Sequence, residues 1–342
     1  MNRLLATQNR RVVDPNFTHQ LPKIELHAHL TGSISPQILH QIWAQRKTQD
    51  SSFILNDPLI EMSTELEHFN VSAFFPLVST LSVLNGFMDD GVRYLELRTT
   101  PRVVQASGIT KTSHISTVLD CIANFRLSTK DIMPTYLILS IDRRNTLTEA
   151  METVDLAIQF RSQGVVGLDL CGNPSKGNIS IFRPAFEKAK AAGLQITLHF
   201  AEIPASSTEE ELRTLLSYEP GRLGHVIHVP TSIMQEITTK RIGLELCLSC
   251  NVNAKLISGG FGDHHFGQLW ATESPVILCT DDVGVFGSPL SNECFLAAKH
   301  FDLSKEDLIQ LMRRSATAIF SGESEKKKLL HILDEFQKSM QL

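Results

Sequence analysis

The sequence lacks the features that would tie it to a membrane or to nucleic acid. None of its apolar runs approaches the roughly 20 residues that cross a bilayer. Its formal net charge of −5 argues against a general binder of polyanions or anionic lipid. Near the start, the apolar part from Leu4 to Ala6 is too short for a signal peptide. We therefore expect a cytoplasmic, monomeric protein whose partner is a small molecule.

Sequence repeats, low-complexity segments and a cysteine framework are also missing. Six cysteines in 342 residues lie in or beside apolar runs, which favours reduced thiols in the core. Cys247 and Cys250 have the spacing of a zinc knuckle, but no second pair follows them. We therefore favour core thiols over a structural zinc site.

What the sequence does contain is a series of eight strand-like runs separated by helical segments. They are residues 24–30, 94–98, 135–141, 165–170, 195–200, 223–227, 243–248 and 276–280. Several are almost wholly apolar, which is typical of a parallel sheet covered on both faces. A doubly wound sheet is the rival, but residues 32–36 after the first run are not Gly-x-Gly-x-x-Gly. We predict a (β/α)8 TIM barrel, a single domain over residues 1–342 with an N-terminal extension (about 1–20) and C-terminal helices (about 305–340).

The first run carries a His-x-His pair. Its alternation of period two predicts an apolar side, Ile24, Leu26, Ala28 and Leu30, and a polar side, Glu25, His27 and His29. Two imidazoles at i and i+2 on one side of a strand are close enough to bind one ion together.

Further polar residues collect where the runs end, which is where such barrels place their active sites. The candidate metal ligands are His27, His29, His199 and Asp281. Three imidazole nitrogens and a carboxylate oxygen suit zinc and leave room for a water. Glu202 follows His199 by three positions and is placed for proton transfer, while His225, from the next run, could orient or deprotonate the water.

Four segments together resemble the adenosine deaminase family of metal-dependent hydrolases. They are residues 25–30, 199–202, 222–225 and 280–282, and the resemblance runs from about Leu21 to Phe320. It implies a (β/α)8 barrel with one Zn²⁺ on His27, His29, His199 and Asp281. The binuclear relatives carry a lysine on the fourth strand, and the run ending at Gly172 has none. One ion per chain is therefore expected.

The resemblance also implies a reaction, hydrolytic deamination by attack of zinc-activated water on purine C6. Glu202 would donate a proton to purine N1, and His225 and Asp281 would activate the water. Asp282 would contact purine N7, the backbone of Gly172 would contact N3, and His29 would also border the substrate.

Position 31 bears on the substrate. Family members that act on adenosine carry an aspartate there, which meets the 5′-hydroxyl and would repel a 5′-phosphate. This chain has Thr31, and the second run ends with further candidates for phosphate binding, Thr99, Thr100, Pro101 and Arg102. Asp142 is a candidate for the ribose hydroxyls.

These residues resemble the adenosine deaminase-like branch, whose activity is hydrolysis of N6-methyl-AMP to IMP and methylamine. Deamination of adenosine to inosine, another amidohydrolase reaction and a non-catalytic purine-binding relative remain as alternatives. One departure is the connection from Leu77 to Gly86, which is shorter than in the family and bears on the pocket over the N6 substituent.

Overall fold

The strands form one parallel sheet in chain order. The computed structural model describes residues 12–49, 56–60, 76–105 and 108–340. The strands are β1 Lys23–His29, β2 Val92–Thr99, β3 Thr135–Asp142, β4 Val165–Cys171, β5 Gln195–Phe200, β6 Arg222–His225, β7 Gly243–Leu246 and β8 Val276–Leu278. Each pairs in parallel with the next, from β1 to β8.

Two backbone hydrogen bonds join the segment after β8 to β1 and close the barrel. The Asp281 N–H donates to the His27 carbonyl over 2.8 Å, and the His29 N–H donates to the Asp281 carbonyl over 3.0 Å. The predicted (β/α)8 barrel is confirmed. The same two bonds fix the backbone of Asp281 beside both histidines of β1, so closure of the barrel also positions the site.

Helices alternate with the strands. They are α1 Pro15–Gln20, α2 Pro36–Gln49, α3 Pro76–Asp89, α4 Lys111–Ser128, α5 Leu147–Gln159, α6 Arg183–Ala191, α7 Glu209–Leu216, α8 Thr231–Thr239, α9 Leu248–Asn253, α10 Phe266–Trp270, α11 Val283–Phe286, α12 Leu290–Phe301, α13 Lys305–Thr317 and α14 Glu323–Ser339. Capping boxes begin α5, with Thr146 and Glu149, and α13, with Ser304 and Asp307. No helix of the described residues is long and apolar enough to cross a membrane.

Several boundaries differ from the predictions. The seventh strand ends at Leu246 because α9 begins at Leu248. The sequence also predicts a helix from Pro58 to Asn70, and this segment falls largely outside the described residues. All six cysteines are buried and none forms a disulfide, as predicted.

The strict alternation predicted for β1 is wrong. Pairing of β1 with β2 shifts register between Glu25 and Ala28. Ile24 and Leu26 therefore pack in one apolar cluster, and Ala28 and Leu30 pack in another. The Glu25 carboxylate supports the irregularity, because it accepts the backbone N–H groups of His27 (2.8 Å) and Thr280 (3.0 Å).

Candidate active site

The four predicted metal ligands meet at one point. One donor atom from each of His27, His29, His199 and Asp281 lies within 4.8 Å of the other three. Oδ1 of Asp281 is 3.5 Å from Nε2 of His27 and 3.3 Å from Nε2 of His29. Nε2 of His29 is 3.2 Å from Nε2 of His199. β1, β5 and the end of β8 thus bring together side chains that are far apart in the sequence.

Left-handed backbone conformations turn the site residues inward at the strand ends. Ala201 (φ 52°), His225 (φ 62°) and Asp281 (φ 60°) follow or end β5, β6 and β8. Such conformations are costly for residues with a Cβ and persist where the surrounding structure imposes them. Here they present Glu202, His225 and Asp281 to the same space.

Carboxylates stand behind two of the ligand histidines. Nδ1 of His27 lies 2.7 Å from Oε2 of Glu245, and Nδ1 of His199 lies 3.1 Å from Oδ1 of Asp169. An ionised carboxylate can only accept a hydrogen bond, so both Nδ1 atoms carry a proton, and each ring in its neutral form keeps its lone pair on Nε2. That is the tautomer in which histidine binds a metal through Nε2.

Two buried arginines join these carboxylates into one network. Arg98 lies 3.0 Å from Glu245 and 3.4 Å from Asp169, while Arg222 lies 2.6 Å from Glu245 and 2.6 Å from Glu96. All five side chains are shielded from solvent. Although burial opposes ionisation, Arg98 and Arg222 hold the pKa of Glu245 well below its usual range.

The donor set fits a divalent cation such as zinc. The buried Nε2 of His27 has no hydrogen-bond partner within the described residues. Burial lowers the pKa of His29 well below its usual value and so favours the neutral imidazole that binds metals. Although burial opposes it, the hydrogen bond and charge of His27 hold the pKa of Asp281 well below the ordinary range. A neutral His29 ring, an ionised Asp281 carboxylate and the unpaired Nε2 of His27 suit such an ion. Although burial and Arg98 oppose it, hydrogen bonds to Asp281 and Glu245 raise the pKa of His27 to about 9, so a bound ion would take the place of a proton on this ring.

The predicted proton-transfer residues border the same point. Nε2 of His225 lies 3.8 Å from Oδ2 of Asp281. The charge of Glu202 acts on both His225 and Asp282, which places its carboxyl near both residues. Burial, and then the charge of Asp281, raises the pKa of Asp282 well above its usual value. The pKa values of the two adjacent aspartates are therefore shifted in opposite directions, which favours an ionised Asp281 beside a protonated Asp282.

Two glycines are required by the site. A Cβ on Gly32 would lie 1.6 Å from Oδ1 of Asp282, and a Cβ on Gly224 would lie 2.7 Å from Cε1 of His27. Neither clash can be relieved without moving a site residue. Gly224 directly precedes His225. A glycine is needed at this position because the ring of His27, on β1, leaves no space for a Cβ.

The predicted substrate contacts lie around the other half of the rim. Thr31 follows β1, and the segment from Thr99 to Arg102 ends and follows β2, its hydrogen-bonded neighbour. Thr99 and Pro101 are buried, whereas Thr31, Thr100 and Arg102 are partly exposed. Hydroxyl groups and a guanidinium therefore stand at adjacent strand ends, an arrangement suited to a phosphate.

Asp142 and Gly172 are brought together at the ends of β3 and β4. Gly172 has φ 97°, and a Cβ there would lie 2.7 Å from Oδ1 of Asp142. Asp142 accepts hydrogen bonds from the backbone N–H of Arg144 (2.8 Å) and from its guanidinium. Burial acts against the ionisation of Asp142, but its bonds with Arg144 and the charge of Arg102 lower its pKa.

Sequence reasoning missed the residues that support the ligands. Glu245 and Arg98 are charged residues within strands that a parallel barrel covers on both faces, and that placement is a signal that could have found them. Asn251 and His264, which contact His225 through a hydrogen-bonded chain, carry no such signal. The neighbouring His265 donates from Nε2 to the His225 carbonyl over 2.6 Å.

A parallel eight-stranded barrel with three imidazoles and a carboxylate converging at the carboxyl ends of its strands defines a metal-dependent hydrolase. The Adenosine deaminase family profile matches residues 78–336. The chain belongs to the adenosine deaminase family.

Individual relatives match over nearly their whole length. The chain is 34% identical to human N6-Methyl-AMP deaminase, covering 95% of this chain and 96% of the relative. It is 35% identical to the N6-mAMP deaminase of Arabidopsis thaliana, covering 93% and 98%. The solved structure of arabidopsis ADAL complexed with IMP superposes with a TM-score of 0.88 at 34% identity, covering 95% of this chain and 99% of that one.

Proposed function

We propose that this chain hydrolyses N6-methyl-AMP to IMP and methylamine with one Zn²⁺ bound by His27, His29, His199 and Asp281. The observation that carries the proposal is the convergence of these four donors within 4.8 Å of one another, beside Glu202 and Asp282. The relatives named N6-methyl-AMP deaminase, and the relative solved with IMP, support the choice of substrate.

The bound ion would supply Lewis acidity, which lowers the pKa of a water from about 16 to about 7. The purine C6 is a poor electrophile, and a proton on N1 lets the ring accept electrons as C6 becomes tetrahedral. Glu202 is the group that delivers this proton. Asp282, whose raised pKa favours the protonated carboxyl, donates a hydrogen bond to N7, which can only accept, and the Gly172 N–H donates to N3. These contacts hold the purine plane with C6 toward the ligands.

The 5′-phosphate is assigned to the end of β2. Thr99 and Thr100 offer hydroxyl groups, and Arg102 offers a guanidinium that pairs with phosphate oxygens. Thr31, at the neighbouring strand end, is uncharged and so tolerates the phosphate. Asp142, beside Gly172, is assigned to the ribose hydroxyls.

The test compares two substrates and one substitution. Methylamine release from N6-methyl-AMP and ammonia release from adenosine are measured beside the zinc content of each chain. In Thr31→Asp, a carboxylate faces the phosphate, and repulsion of a few kcal/mol is expected to lower kcat/KM for the nucleotide by about 10²-fold. Adenosine turnover is expected to be retained or to rise.

Thr31→Ser is the matched control, because it keeps the hydroxyl and adds no charge. It should retain nucleotide turnover. A wild-type preference for adenosine would move the chain to the nucleoside reaction, and equal loss of both activities in Thr31→Asp would remove residue 31 from phosphate selection.

A further inference from the structure

A chain of buried hydrogen bonds runs from α10 to His225. Nδ1 of His225 lies 2.9 Å from Oδ1 of Asn251, and Nδ2 of Asn251 lies 3.0 Å from Nε2 of His264. Nδ1 of His264 in turn accepts the backbone N–H of Phe266 over 3.0 Å. His225, Asn251 and His264 are each at least 97% buried, so these contacts are not exchanged for water.

At the end of this series of hydrogen bonds farthest from His225, the donor and the acceptor can be assigned in only one way. The Phe266 backbone nitrogen can only donate, so Nδ1 of His264 must be the unprotonated nitrogen. Burial lowers the pKa of His264 to about 2, so its ring is neutral and carries a single proton. That proton is on Nε2, and Nε2–H therefore donates to the side chain of Asn251.

The proton position on His264 then determines the orientation of the Asn251 amide. A half-turn about the Cβ–Cγ bond exchanges the amide oxygen and nitrogen in place, so the hydrogen-bond partners decide which atom faces which histidine. The amide oxygen must face Nε2–H of His264, because the reverse sets two donors against each other or leaves the buried Phe266 N–H without its acceptor. The amide NH₂ then donates to Nδ1 of His225.

We propose that Asn251 and His264 are positioning residues that hold His225 in the tautomer with its proton on Nε2, so that His225 donates a hydrogen bond to the attacking oxygen and accepts no proton from it. The assignment of the proton rests on the hydrogen-bond chain alone, and its consequence for catalysis rests on the proposed function. Nε2 is the nitrogen that faces Asp281 and the ligand cluster.

The same assignment limits the number of metal ions. His225, Cys247 and Asp281 also offer donor atoms within 4.8 Å of one another, a grouping that resembles a second metal site. A nitrogen that carries a proton has no lone pair for a metal. His225 in this tautomer is therefore excluded from the ligand set, and a single ion is expected.

The test reads the tautomer directly. The full chain, as purified with its metal, is labelled with ¹⁵N-histidine, and long-range ¹H–¹⁵N correlations show which ring nitrogen bears the proton. The signals of His225 are identified by their loss in His225→Gln. We expect a protonated Nε2 and an unprotonated Nδ1. A proton on Nδ1 of His225 in the wild-type chain would overturn the proposal, whatever the variants do.

Asn251→Asp reverses the hydrogen bond between residue 251 and His225 with almost no change in the shape of the side chain. A carboxylate only accepts, so it draws the proton of His225 to Nδ1 and turns a lone pair toward the attacking oxygen. We expect the reversed ¹⁵N pattern and a loss of about 10²-fold in kcat, with KM for the nucleotide little changed, because Asn251 is fully buried behind His225. A similar loss of kcat with the wild-type tautomer retained would assign Asn251 a merely structural role and overturn the proposal.

Two further variants complete the design. His264→Phe keeps an aromatic ring but removes the donor, and should mix the two tautomers of His225. If His225 in His264→Phe still carried its proton only on Nε2, His264 would have no part in fixing the tautomer. His19→Gln, at an exposed position of α1, should leave the His225 signals unchanged. A wild-type chain with the expected tautomer but no purine turnover would overturn the proposed function and leave the proton assignment standing.

Discussion

The histidines of the site fall into two regions that differ in what supports them. His27 and His199, at the ligand cluster, are backed by the carboxylates of Glu245 and Asp169 and by the charge of Arg98. His225, 5.3 Å from His199 between ring centres, is backed by the neutral amide of Asn251. Three imidazoles in one pocket thus receive two kinds of partner.

This difference in partners shows how the same type of side chain, histidine, can serve either as a metal ligand or as a hydrogen-bond donor. A carboxylate fixes the proton of the ring on Nδ1 and leaves Nε2 free for a cation, and its charge strengthens that ligand. A neutral amide adds no charge and, with its NH₂ toward the ring, fixes the proton on Nε2. The residue behind the histidine therefore decides whether the ring ligates or donates, although all three rings occupy one site.

Removal of a ligand histidine should have the largest effect. In His199→Ala, three donors remain, and the ion loses a nitrogen that Asp169 holds in place. We expect loss of stoichiometric zinc and a fall in turnover of at least about 10³-fold, since the ion contributes several kcal/mol to the transition state. Zinc content by atomic absorption and methylamine release measure the two effects. His331→Ala, at an exposed position of α14, is the control, and full zinc content in His199→Ala would contradict the ligand assignment.

Removal of the charge behind a ligand should have a smaller effect. Glu245→Gln keeps the shape but puts an NH₂ group against either His27 or Arg222. We expect zinc affinity to fall by about 10- to 100-fold. Competition with a chromophoric chelator measures the affinity.

Thr197→Val is the matched control for Glu245→Gln. It removes a hydroxyl that donates to the same carboxylate over 2.9 Å, but leaves the contact with His27 intact. Its zinc affinity should stay closer to wild type than that of Glu245→Gln. Equal loss in the two variants would show that the network stabilises the fold without tuning the metal.

The sequence predicts the ligands better than their supports. His199 and Asp281 could be predicted because each stands where an apolar run ends, and a parallel barrel brings all such ends to one rim. His27 could be predicted because it forms a His-x-His pair with His29. The register shift at Glu25 could not be predicted, because it depends on the N–H of Thr280 from the far end of the barrel. Alternation in β1 alone gives no sign of it.

The residues behind the site histidines also differ in how far the sequence reveals them. Glu245 and Arg98 are detectable in principle, because a charge inside an apolar strand needs a partner. Asn251 and His264 are polar residues near loops, where such residues are ordinary, and only their three-dimensional contacts show what they do. Local pattern therefore reveals what a strand carries, but not which distant group faces it.

The last prediction concerns the buried acid beneath the amide-backed region, where the effect should be confined to stability. Glu293 on α12 accepts the Ser249 N–H of α9, the helix that carries Asn251, and also the Ser288 hydroxyl. Burial raises its pKa to about 7, in contrast to the depressed pKa of Glu245 behind the ligands. The two regions thus hold carboxyls in opposite states.

A raised pKa fixes the sign of the pH dependence. Between the ordinary pKa of 4.5 and about 7, the folded chain holds a proton on Glu293 that the unfolded chain has lost. The contribution of Glu293 to stability is therefore complete below pH 4.5 and is lost as the pH rises toward 7, by about 1 kcal/mol per pH unit. Glu293→Gln has no proton to lose, so urea unfolding from pH 5 to 8 should show a flatter profile with zinc affinity unchanged. Glu335→Gln, at an exposed site on α14, should keep the wild-type slope. A slope unchanged in Glu293→Gln would mean that the carboxyl is already ionised at pH 5, and the contrast between the two regions would then be limited to their histidines.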